Sequence, residues 1–228
     1  MRFFLDSTSL KRIEESIENV LTPTSRVTRI YVMSFFANVG TTTVASLLAE
    51  FYSTYRSSRV VCRTVQDGLT SNVYIIDGEV VENLNFMSSS TEAEANGVVP
   101  DYLFDVAVYD VGCITANSAF FNELQSPDVV CFVTPSGRRF VEYTLGASHE
   151  IVENCNLDEP SIILNDYMNE KSPWPKLASQ GLSWIKGTLS FEYGIHEKSV
   201  LDISPQNRET TLELAGDLMA GANKGRLR

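Results

Sequence analysis

The sequence is poor in histidine, cysteine and positive charge, and it has no long hydrophobic run; each shortage closes off a class of function. Its two histidines, His149 and His196, stand in no Cys or carboxylate pattern of a metal site or catalytic triad, so histidine chemistry is not expected. The four cysteines, Cys62, Cys113, Cys131 and Cys155, have no C-x-x-C spacing, and three lie in apolar runs such as Val129-Val130-Cys131-Phe132-Val133. They are expected to be buried free thiols in a reducing compartment. Lys and Arg number 18 against 29 Asp and Glu, a formal net charge of −11. That field repels phosphate backbones and anionic lipid, so no nucleic-acid partner is expected, and a basic protein surface is the easier fit. The one basic cluster, Lys224-Gly225-Arg226-Leu227-Arg228, lacks the apolar stripe of a membrane-anchoring helix. No apolar run approaches the ~18 to 20 residues that cross a bilayer, and Met1-Arg2-Phe3-Phe4-Leu5-Asp6 lacks a signal-peptide core. A cytoplasmic protein with no direct membrane insertion is the expectation.

What is present suits one packed core. At the usual ~150 residues per domain, 228 residues make one medium α/β domain, and 43% hydrophobic with 21% charged residues is ordinary for a globular chain. Leu10, Ile13, Ile17 and Leu21 recur at helical spacing and predict an amphipathic helix over residues 8–21, stopped by Pro23. Residues 27–33 form a β-branched and aromatic run suited to a strand, followed by a glycine turn and the helical pattern of Val44, Leu47, Leu48, Phe51 and Tyr55. A strand over 59–65 completes a right-handed β-α-β unit. The polar stretch within 66–100 predicts a loop or short helix. Strands are then predicted at 104–110, 129–134 and 161–165, with helices over 140–154 and 209–219. The fold class is therefore α/β, a mostly parallel sheet with helices on both faces. The expected division is an N-terminal helix and linker (1–26), the domain (27–220) and a flexible tail (221–228).

In an open parallel sheet, ligands gather beyond the carboxyl ends of the strands. The first such loop, Ser34-Phe35-Phe36-Ala37-Asn38-Val39-Gly40-Thr41-Thr42-Thr43, leads a strand into a helix N-terminus, where unpaired N–H groups and the helix dipole favour an anion. A strict P-loop needs a lysine after its last glycine to neutralise phosphate charge, and a neighbouring hydroxyl for Mg²⁺. Thr41 stands at the lysine position, Thr42 keeps the hydroxyl, and no Lys or Arg lies between residues 30 and 55. Phe35 and Phe36 place two large rings in this loop. They are expected either to pack against Phe120-Phe121 or neighbouring core, or to form an apolar patch for another chain. Asp105 and Asp110 are five residues apart on one strand and face opposite sides, so they form no acid/base pair. Arg138-Arg139 is expected to be a solvated surface pair.

The loop resembles the deviant Walker A segment of the ParA/MinD family of P-loop ATPases, S-x-K-G-G-V-G-K-T-T-x-A. Ser34, Val39-Gly40, Thr42-Thr43 and Ala45 match it without gaps, while Phe36 and Thr41 fall where its two lysines stand. Residues 104–112 resemble the family strand whose second aspartate, here Asp110, helps organise the magnesium shell. Residues 128–136 are similar to its v-t-p-s turn, and Ile163-Leu164-Asn165 to its v-l-N, whose asparagine contacts adenine. The family's D-x-D after the second strand falls on Thr64-Val65-Gln66, leaving only Asp67 to replace the switch aspartate. The resemblance implies a P-loop NTPase fold over about residues 27–205 and a catalytically degenerate member, a pseudo-ATPase with no catalytic residue assigned. Nucleotide, where bound at all, would touch Ala37, Asn38, Val39, Gly40, Thr41, Thr42, Thr43 and Asn165, with Mg²⁺ at Thr42 and Asp110. No cofactor is required, and weak binding of ATP or ADP with Mg²⁺ is the most this loop would support. A homodimer and a protein partner are expected, with Phe35 and Phe36 at the interface. The implied role is that of a positioning or assembly factor, as in the CpaE/TadZ localisation proteins of pilus and secretion machines. The alternatives are an active partitioning or localisation ATPase with an atypical P-loop, and a purely structural subunit.

Overall fold

The computed structural model describes residues 27–56, 58–66, 69–76, 79–82, 101, 104–114, 127–157, 159–166, 183–190, 192, 194–195 and 198–225. Along the chain run β1 (Thr28–Ser34), α1 (Thr41–Arg56), β2 (Val60–Gln66), β3 (Leu69–Ile76), β4 (Glu79–Glu82), β5 (Val106–Cys113), β6 (Val129–Pro135), α2 (Arg138–Asn154), β7 (Ser161–Asp166), β8 (Ile185–Ser190) and α3 (Pro205–Gly225). The eight strands form one sheet in the order β4-β3-β2-β5-β1-β6-β7-β8. The six strands from β2 to β8 in that order are parallel, and β3 and β4 extend the sheet at one edge as an antiparallel hairpin.

Strand alternation divides the core. Ile30, Val32, Val108, Cys131, Val133 and Ile163 face α1 and α3, which supply Leu48, Tyr52, Leu214 and Leu218. Tyr31, Met33, Val61, Phe132 and Leu164 face the other side, where α2 contributes Val141 and Val152. Near-continuous Val and Ile runs are what a strand covered on both faces requires. The two helices on the first face are tied together where Tyr52 donates its hydroxyl to the Ala215 carbonyl at 2.9 Å. Gly187 lets α3 approach β8, because a Cβ there would stand 2.8 Å from Thr210 Cγ2.

Several expectations are corrected. No strand was predicted between residues 66 and 100, yet β3 and β4 lie there, with the side-chain oxygen of Asn72 in β3 accepting Arg63 Nη1–H at 2.6 Å; the polar stretch 88–94 lies outside the described residues. Strand β8 was not anticipated, its short alternation being broken by Lys186 and Gly187. The tail expected from residue 221 is helical through Gly225, with Ala222 buried, and α3 begins at Pro205 behind Ser204, whose hydroxyl accepts the Asn207 N–H at 3.3 Å. Only Cys62 and Cys131 are fully buried, and burial pushes both thiols up to about 12; Cys113 and Cys155 are half-buried, and all four are free. The predicted helix over 8–21, Asp67, Phe120-Phe121 and His196 lie outside the described residues. His149 packs its ring edge-on against Trp184 at 4.5 Å.

Two polar clusters bind the sheet's periphery. Asp101 accepts from Arg63 Nε (2.9 Å) and Nη2 (2.7 Å), from Arg29 Nε (3.1 Å) and from the Tyr109 hydroxyl (2.6 Å). Glu192, in the segment leading from β8 to α3, accepts from Lys198 Nζ (2.7 Å), the Ser204 N–H (2.9 Å) and Asn207 Nδ2 (2.9 Å). Burial alone would push the Glu192 carboxyl up, but these three donors outweigh it and hold it down at about 2, against 4.5 for a free glutamate. A folded-state value below the unfolded one stabilises the protein above pH ~4.5, and that contribution is lost as the pH falls toward 2. The fall in Tm between pH 6 and pH 3 is therefore expected to be smaller in Glu192→Gln than in the wild type, and equal slopes in differential scanning calorimetry would contradict this.

Helix α2 runs against its own dipole at both ends. Gly137 precedes it with no side-chain cap, its first turn carries Arg138 and Arg139 and no acid, and its last turn has no base. Arg138 is exposed and pairs with Glu142 one turn on at 2.6 Å.

Candidate functional site

Beyond Ser34 the chain turns through Phe35 to Gly40 before α1 begins. The buried Ser34 hydroxyl accepts the Phe36 N–H at 3.0 Å, and its carbonyl accepts the Ile114 N–H at 2.8 Å, fixing the strand end to β5. Asn38 (φ 57°) and Gly40 (φ 90°) adopt left-handed backbone, which tightens the turn and is natural for these two residue types. The Gly40 carbonyl accepts the Val44 N–H at 3.0 Å. Thr41, Thr42 and Thr43 thus form the first helical turn, whose N–H groups have no intrahelical acceptor, and the positive end of the helix dipole adds to them. Ala37 and Asn38 are exposed, Val39 is buried in the core under α1, Gly40 and Thr43 are half-buried, Thr41 is buried and Thr42 is exposed. The loop expected to receive an anion is thus a tight turn leading into a helix N-terminus, a geometry that favours negative charge.

The two residues expected at the metal are brought together. Thr42 donates its hydroxyl to Asp110 Oδ2 at 2.6 Å, and the Gly112 N–H approaches Asp110 Oδ1 at 3.2 Å. Asp110 lies where β5 shifts register against β1, between the pairs Val32–Asp110 and Met33–Gly112. Its carboxyl is pushed up by burial, and the hydroxyls of Thr42 and Thr41 and the Gly112 N–H oppose that only in part. Among the described residues no cation acts on it. A carboxylate and a hydroxyl with no positive partner suit a hard divalent ion such as Mg²⁺, and Thr42 and Asp110 are the residues that would hold it. When bound, such an ion supplies charge neutralisation to phosphate oxygens. The phosphate side fits less well, since residues 30–55 contain no lysine or arginine.

Phe36, at one of the two lysine positions, turns its ring onto α2, 5.0 Å from Phe140 and 5.5 Å from Tyr143. Phe35 stacks on Phe132 at 5.4 Å and meets Tyr143 edge-on at 5.7 Å. Both rings are half-buried; Phe140 remains 42% and Tyr143 55% exposed, so the four form an aromatic surface beside the loop. Phe140 and Tyr143 were not singled out from sequence, although their spacing of three on a helix beside Arg138-Arg139 carried the signal. Asn165 reaches the loop and donates from Nδ2 to the Val39 carbonyl at 2.8 Å.

Neither a protein-family model nor a curated protein matches the sequence. Among solved structures, the putative plasmid partition protein of Borrelia burgdorferi B31 bound to AMPPNP aligns over 86% of this chain and 99% of its own, with a TM-score of 0.53 and 12% identity. A second crystal structure of a plasmid partition protein from that organism aligns with the same figures. The fold is the ParA-like P-loop NTPase fold. The ParA family ATPase of Chlorobium tepidum TLS aligns over 86% of this chain and 98% of its own at a TM-score of 0.45 and 14% identity, too low to add weight. No helix among the described residues is long and apolar enough to cross a membrane.

Proposed function

We propose that the chain is a ParA/MinD-like positioning or assembly factor for a larger cellular machine, such as a pilus or secretion system, and that its P-loop has lost efficient hydrolysis. The observation that carries this reading is a phosphate loop without a cation: Thr41 and Phe36 hold the lysine positions, and the Phe36 ring lies on α2. Phosphoryl transfer depends on positioning and electrostatics, so losing the lysine raises the barrier by several multiples of the ~1.4 kcal/mol that makes a tenfold rate change. Weak binding of ATP or ADP with Mg²⁺ through loop N–H groups, Thr42 and Asp110 is what remains. In this reading the protein works in the cytoplasm as a homodimer, recruited by a protein partner at a membrane-associated complex, and binds no DNA. Its aromatic surface around Phe35 and Phe36 is the contact face.

Steady-state ATPase assays are expected to show negligible turnover, and calorimetry at low salt weak nucleotide binding. Thr41→Lys combined with Phe36→Lys should tighten ATP binding while the fold is retained. Turnover that is clear in the wild type and lost in Asp110→Ala would instead establish the second reading, an active partitioning or localisation ATPase with an atypical P-loop, which the intact Thr42–Asp110 pair favours.

A further inference from the structure

We propose that Asn165 is the positioning residue of the anion-binding loop, holding Val39 and Gly40 from the end of β7 whether or not a ligand is present. The proposal rests on the reading of this loop as an anion site but concerns the loop's geometry, which can be measured without a ligand. Asn165 lies 126 residues from Val39, and β7 is two strands away from β1 in the sheet, so its bond at 2.8 Å spans the carboxyl edge of β6. Its base is fixed: Asn165 pairs with Pro135, and the adjacent Asp166 accepts the Ser136 hydroxyl at 2.9 Å. In a planar trans peptide the Val39 carbonyl and the Gly40 N–H point in opposite directions. Anchoring the carbonyl toward β7 therefore also sets the direction of the Gly40 N–H. The contact is close: a Cβ on Gly40 would collide with Asn165 Nδ2, which would have to shift away from the Val39 carbonyl it now bonds. Gly40 is thus constrained twice, by its positive φ and by the asparagine that occupies the space of its missing side chain.

Amide hydrogen exchange in the ligand-free protein tests this directly. In Asn165→Ala, the Val44 N–H, which the Gly40 carbonyl accepts, should exchange about five- to tenfold faster, the worth of one neutral hydrogen bond, with residues 30–33 of β1 unchanged. A thermodynamic cycle gives an independent readout: Gly40→Ala should lower the Tm less in the Asn165→Ala background than in the wild type, because only the backbone strain remains. Where the loop binds anions, Asn165→Ala should weaken inorganic pyrophosphate and ATP by the same factor. Unchanged exchange with additive Tm shifts overturns the proposal, as does a loss confined to ATP, which would make Asn165 a base contact. A protein that binds neither anion removes the functional reading of the loop, while exchange and the cycle still decide the role of Asn165.

Discussion

Asp101→Ala is expected to cost about 3 to 5 kcal/mol of stability, the range for removing one partner from a buried ion pair. The Arg63 side chain is 5% exposed and the Asp101 side chain 10%, so neither charge can turn to water when the other is lost. Asp101 is the shared acceptor of two guanidiniums and the Tyr109 phenol, and the same surroundings push the Tyr109 hydroxyl up to about 12, led by burial and then by its bond to Asp101. Because Arg29, Arg63 and Tyr109 stand on β1, β2 and β5, the loss spreads over three adjacent strands. The control is Asp105→Ala. Its partner Arg59 lies 3.3 Å away with side chains 25% and 32% exposed, and Asp105 also accepts the Arg59 backbone N–H at 2.9 Å, so the expected loss is about 1 to 2 kcal/mol. Urea unfolding of the two variants should separate them clearly; equal midpoints would mean that water reaches Asp101.

Phe36→Asp is expected to lower self-association by more than tenfold while leaving the monomer folded. In the proposed reading the face around Phe36 joins two copies without nucleotide, since no lysine there requires a phosphate. Each Phe36 ring is already half-buried, so covering the rest of it in both copies contributes ~1.5 to 3 kcal/mol in total, and ~1.4 kcal/mol is a decade in a dissociation constant. The ring rests on exposed Phe140 and Tyr143, so a charge at position 36 has water within reach. Tyr143→Asp, at the most exposed ring of the patch, guards against a folding effect and should act in the same direction. Analytical ultracentrifugation of wild type and both variants, with and without ATP and Mg²⁺, decides between the alternatives. A wild type that stays monomeric until nucleotide is added would refute constitutive association.

The parallel core was legible because strands buried on both faces must be Val- and Ile-rich, and β1, β5, β6 and β7 announce themselves that way. The loop was legible for a different reason: Gly40 followed by three threonines marks a helix start after a strand. The hairpin β3–β4 was hidden by Thr70, Ser71 and Asn72, polar residues that a strand near a sheet edge accepts, although Asp67-Gly68 and Asp77-Gly78 flank β3 as turn signals. Strand β8 was hidden because its glycine answers to Thr210 across the chain, a contact no local pattern encodes. Within the site, sequence matching placed Asp110 beside Thr42, because both sit on elements of fixed direction. It could not show that Asn165 faces Val39 or that Phe36 folds back onto α2, since both depend on how loops cross the sheet edge.

The reversed charge pattern of α2 has a kinetic consequence. Arg138 and Arg139 oppose the positive end of the helix and no side chain caps it, each such mismatch being worth ~0.3 to 1 kcal/mol, offset in part by the Arg138–Glu142 pair. The first turn of α2 is therefore less firmly held than a capped turn of favourable charge would be, and it is the turn that carries Phe140 against Phe36. Opening of that end, a nanosecond-to-microsecond event, would bare the part of the Phe36 ring that Phe140 covers, while Tyr143 stays beside it. An approaching chain meets an averaged aromatic surface that can adapt its rings on contact, which favours tolerance of partner shape over strict selectivity.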